Sequence, residues 1–129
     1  MHCSFLDYQD LLFRADFSDS RIDAHADETH LLERAWEHIE AELALPKYQK
    51  FKKYANSLYC GCKLAIHHRV AIEFVYYYSS DSLSMSLQDK SLLFHNSKLM
   101  ASMCSGAQLI SSSYDPSSQK VHLDISFFD

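Results

Sequence analysis

Cys60-Gly61-Cys62 followed by His67-His68 is the densest set of soft metal ligands in the chain. Zinc takes thiolate and imidazole donors in a tetrahedron, and one turn bearing both cysteines would supply half of them. The single-residue spacer is shorter than the usual spacing of paired cysteine ligands. Adjacent histidines on a strand would also point to opposite faces. Cys60, Cys62, His67 and His68 would therefore converge on one ion only with an irregular backbone, and no metal or other cofactor is assigned. Buried reduced thiols, one satisfied histidine and one exposed histidine are expected instead. A Cys–His nucleophile pair needs an orienting third group. With four cysteines and eight histidines in the chain, chance alone supplies such pairs. His25, Asp27, His30 and His38 are no better: Asp27 suits a helix cap, and His30 and His38 lie too far apart along a helix to share an ion.

Carboxylates and aromatics form the other chemically informative groups. The run from Val70 to Tyr78 is the longest nearly unbroken apolar and aromatic stretch, yet it carries Glu73 at its centre. Such a carboxylate lies either on a solvated face or in a pocket that shifts its pKa. Trp36, Glu73, Tyr76 and Tyr78 are thus the candidates for a small-molecule or catalytic pocket between the helices and this strand. Charge is distributed unevenly. Residues 1–45 carry a balance of −8, residues 46–69 one of +6, and residues 70–129 one of −3. Asp19, Asp23, Glu33, Glu37 and Glu40 would form an acidic surface for a partner with a basic face. Neighbouring helices that complement each other internally are the alternative, and the commoner one. The lysine ridge with Tyr48, Tyr54 and Tyr59 has the composition of a phosphate-tracking surface. Adjacent acidic helices and an overall pI near 5.8 argue against nucleic acid.

Local patterns predict the elements that position these groups. Ser4–Ala15 reads as a short capped helix with Phe5, Tyr8, Leu11 and Leu12 on one stripe. Residues 16–26 read as a loop. Asp27 caps a strong helix from Glu28 to about Leu45, with Leu32, Ala35, Trp36, Ile39 and Leu43 as its buried stripe. Pro46 ends it and opens a second helix reaching about Tyr59. Tyr48, Phe51, Ala55 and Leu58 would face inward there, and Lys47, Lys50 and Lys53 would form the ridge. Gly61 is expected to break this helix, and Lys63–His67 to form a short strand. Residues 70–78 and 83–87 read as an antiparallel hairpin with a four-residue loop. Residues 89–104 fit a helix, with two short strands around His95-Asn96-Ser97 as the alternative. Residues 108–114 and 120–128 make a second hairpin around Asp115-Pro116-Ser117-Ser118.

These elements imply a single α+β domain over residues 1–129, an antiparallel sheet of about four to five strands with N-terminal helices packed on one face. Hydrophobic residues at 47% and charged residues at 22% suit a folded core. Two glycines among 129 residues leave no glycine-rich phosphate loop. No apolar run approaches a membrane span, and Met1–Asp7 lacks a basic signal-peptide start, so a cytoplasmic setting is expected. With no catalytic motif, the reading is a small acidic binding protein acting by stoichiometric protein–protein contact rather than an enzyme. An inhibitor, an immunity protein or a defence antagonist would fit. The edge of the terminal hairpin also offers a route to a homodimer.

Overall fold

Ile72, Phe74 and Tyr76 are buried while Ala71, Glu73 and Val75 between them are only partly covered, so strand β3 (Ala71–Tyr77) has one core face and one open face. The computed structural model describes residues 2–7, 11–18, 27–77, 81–88, 96 and 108–126. The remaining strands are β1 (His2–Asp7), β2 (Leu11–Asp16), β4 (Ser82–Gln88), β5 (Gln108–Asp115) and β6 (Lys120–Ser126), and the helices are α1 (Glu28–Leu43) and α2 (Ala55–His68). The strands form one antiparallel sheet in the order β1-β2-β3-β4-β6-β5. Phe13, Phe74, Met85 and Leu123 are successive cross-strand partners, and none is more than 1% exposed. This row is the floor on which the helices pack.

The α+β class, both expected hairpins and the helical cover on one face are present. The sheet has six strands because the N-terminal segment pairs with it. Ser4–Ala15 is not a helix: β1 and β2 form a hairpin there, and β2 continues the sheet beside β3. Phe13, Ala15 and Phe17 are buried with Arg14 exposed between them, a period of two that outweighs the helical spacing of Leu11 and Leu12. Without β2, one edge of the aromatic strand would carry unpaired backbone donors and acceptors. Of the expected loop 16–26, Asp16 ends β2, Phe17 and Ser18 form a turn, and 19–26 lie outside the described residues. So does the ambiguous segment 89–104, apart from Asn96.

Asp27 caps α1 as its residue type predicts, accepting a hydrogen bond from the Thr29 N–H at 3.1 Å. The buried stripe is Leu31, Ala35, Ile39 and Leu43, whereas Leu32 and Trp36 are only partly covered. The stripe is rotated from the expected one because α1 meets two surfaces, the sheet beneath and α2 at its side. After Pro46 the chain makes two 3-10 turns, Pro46–Tyr48 and Phe51–Tyr54, before α2 begins. Helix α2 runs through Gly61 and includes 63–67, so neither the break nor the short strand occurs. Leu58, Cys62, Ala65 and Ile66 are all buried at helical spacing. Gly61 is there for proximity. A Cβ at this position would lie 2.7 Å from Phe74 Cζ and 2.8 Å from Ile72 Cδ1. Arg69, left-handed at φ 53°, closes α2, with its N–H on Ile66 O and that of Val70 on Ala65 O.

The β5–β6 turn is held by Asp115. Its carboxylate accepts from the Ser117 hydroxyl at 2.7 Å, the Ser118 hydroxyl at 2.9 Å and the Ser117 N–H at 3.0 Å. These bonds, the serine hydroxyls first, hold its pKa down at about 2. A register shift between Leu109 and Ser111 marks edge strand β5, a bulge of the kind that blunts edge-to-edge pairing.

Candidate partner-binding groove

With its buried stripe on the sheet, α1 turns Trp36 and Glu40 toward α2 and leaves Glu33, Glu37 and Glu40 exposed along one stripe. Trp36 stands edge-to-face with Tyr59 of α2, ring centroids 5.2 Å apart and planes at 89°. Tyr59 remains 38% exposed. Beside this pair a groove of about 300 Å³ is lined by Trp36, Glu40, Leu43, Ala44, Lys52 and Ala55. Its lining combines an aromatic surface, apolar side chains and two opposite charges, Glu40 and Lys52.

The acidic residues proposed from sequence divide into two groups. Glu33, Glu37 and Glu40 are exposed on α1 as expected. Asp19 and Asp23 lie outside the described residues. The lysines only partly serve as an internal complement to α1. Lys52 shares the groove with Glu40, and Glu28 pairs with His67 at 3.2 Å across the other end of the helix pair. Lys53 instead pairs with Asp81 in the β3–β4 turn.

Asp81 is a junction that residue spacing did not reveal. Its carboxylate also accepts from the Tyr76 hydroxyl, and its carbonyl accepts from the Tyr54 hydroxyl at 2.7 Å. The Lys53 hydrogen bond, then that of Tyr76, lowers the Asp81 pKa. Tyr54 and Tyr76 are fully buried and pack against Phe51 and each other. Tyr76 therefore fills the core and anchors a turn.

Trp36, Glu73 and Tyr76 are not brought into one pocket, and Tyr78 lies outside the described residues. Trp36 lines the groove in the helical layer, while Glu73 lies on the open face of the sheet. There Arg14, Glu73, Ser86, His122 and Ser113 follow one another as cross-strand partners. A second cleft, of about 210 Å³, is lined by Arg14, Glu73, Ser86, Gln88 and Lys120 among others, with Ala71 between them. Cys60, Cys62, His67 and His68 all belong to α2 rather than to a turn and a strand. Burial raises the Cys60 pKa against the opposing charge of Lys63, and Cys62 is buried. Among the described residues no three His, Cys, Asp or Glu side chains are grouped to hold a metal ion, and no helix is long and apolar enough to cross a membrane.

The architecture defines an α+β protein with a six-stranded antiparallel sheet. Comparison of the chain with protein-family models, curated proteins and solved structures finds no match.

Proposed function

We propose that this chain is a small acidic binding protein that acts in the cytoplasm by stoichiometric contact with a protein carrying a basic surface. The inhibitor, immunity-protein and defence-antagonist modes all belong to this class, and none requires catalysis. The observation that carries the reading is the partly exposed Trp36–Tyr59 pair bordering an apolar groove, beside the exposed carboxylates Glu33, Glu37 and Glu40. Aromatic residues of limited rotamer freedom supply most interface energy, and like-signed charge around them steers a complementary partner. Asp19 and Asp23 add to this acidic set in sequence. The test is the triple variant E33K/E37K/E40K, which alters only exposed positions. Partners captured by the wild type and lost by a correctly folded triple variant support the reading. With such a partner, association should slow by roughly 10–100-fold at low salt and lose much of its salt dependence. An unchanged association rate at low salt removes it.

The polar cleft over Glu73 favours a second reading, a site for a small polar ligand between Arg14 and Lys120. If Glu73→Gln alters neither stability nor the thermal shift given by a panel of amino acids and small carboxylates, that site is excluded.

A further inference from the structure

Trp36 and Glu40 are four residues apart on α1, so they are stacked one turn apart, with Cβ atoms about 5–6 Å apart. Both line the same groove, and contact with Tyr59 holds the indole in place. An aromatic surface and a carboxylate at this separation match the two ways in which a guanidinium is recognised, by stacking on its planar face and by hydrogen bonding at its edge. Resting on the reading of a basic partner, we infer that the groove is an anchor site for an arginine side chain of that partner, stacked against Trp36 and paired with Glu40.

The lining sets the selectivity. Leu43, Ala44 and Ala55 give an apolar floor that suits the methylenes of a long side chain. A purely aliphatic anchor would cover part of the Glu40 carboxylate while offering it no hydrogen-bond donor. A lysine ammonium is compact and strongly hydrated, so it must give up more water than a guanidinium to lie against the indole. Lys52 lines the same groove and is itself exposed, so its ammonium can turn to solvent when a second cation enters. Phosphate-bearing partners are disfavoured by the carboxylates on the adjoining stripe.

Trp36 is the chain's one tryptophan, so its emission reports occupancy of the groove directly. The experiment titrates the full chain with hexa-arginine and hexa-lysine, peptides of equal charge, at fixed ionic strength. Hexa-arginine is expected to change Trp36 emission saturably and to bind roughly 5-fold or more tightly than hexa-lysine. Glu40→Gln should weaken hexa-arginine by about 3–10-fold. Glu42→Gln removes the same charge from the opposite flank of α1 and should change binding less than about 2-fold. Equal effects of the two substitutions, or equal binding of the two peptides with unmoved Trp36 emission, overturn the arginine anchor. Absence of hexa-arginine binding overturns it as well. If the peptides bind equally and E33K/E37K/E40K abolishes that binding, the acidic-face reading survives while the anchor does not.

Discussion

Gly61→Ala sets helix propensity against packing, and the geometry decides which prevails. In an exposed helix interior, alanine stabilises by about 0.8–1 kcal/mol relative to glycine. At position 61 the new methyl would stand 2.7 Å from Phe74 Cζ and 2.8 Å from Ile72 Cδ1. Phe74 is a fully buried ring wedged against Phe13 at 5.8 Å between centroids, so it cannot retreat cheaply. Overpacking of this kind costs about 1–3 kcal/mol, which leaves a net destabilisation of about 1 kcal/mol. Urea unfolding followed by Trp36 emission should show the midpoint falling by roughly 0.5 M, given a slope of about 1–3 kcal/mol per molar for small proteins. Ile72→Val removes the Cδ1 atom of one of the two clashes. Alone it should cost about 0.5–1.5 kcal/mol, but in the Gly61→Ala background it should cost less, with a coupling of about 1 kcal/mol. A Gly61→Ala variant that is more stable than wild type, or strictly additive with Ile72→Val, would refute the close approach of α2 to β3.

Two further predictions concern polar side chains, one half-exposed and one buried. Asp81→Asn keeps the shape of the β3–β4 turn but removes the charge that Lys53 and Tyr76 address; after solvent screening of the half-exposed carboxylate the loss should be about 1 kcal/mol. Because the folded Asp81 pKa is depressed, its contribution is present at neutral pH and vanishes as pH falls through the folded pKa. The stability gap between wild type and variant should therefore close in acid, and a gap independent of pH contradicts the role of charge. Ser57 is fully buried on α2 and, among the described residues, its hydroxyl has no hydrogen-bond partner, so Ser57→Ala should raise stability by about 1 kcal/mol in the same unfolding assay; a loss of that size would mean the hydroxyl is satisfied.

Local patterning alone determined much of this protein. Asp27 and the apolar positions of α1, the alternation of β4 and β6, and the aromatic density of β3 specify their elements because each signal is complete within a few residues. The exposure of Glu33, Glu37 and Glu40 follows from the same helical geometry. Other features depended on residues distant in the chain. Glycine at 61 ordinarily signals a break, yet here it lets α2 lie against Phe74 and Ile72, and only that contact shows that the helix continues. The N-terminal segment has both helical and alternating readings, and the free edge of β3 selects the strand. Tyr76 carries a polar group that looked available for a ligand, but Asp81, just ahead of β4, accepts its hydrogen bond. The groove beside Trp36 was hidden for the same reason. Its walls come from α1, the 3-10 turn holding Lys52 and the start of α2, and no spacing within one element reveals a surface assembled from three.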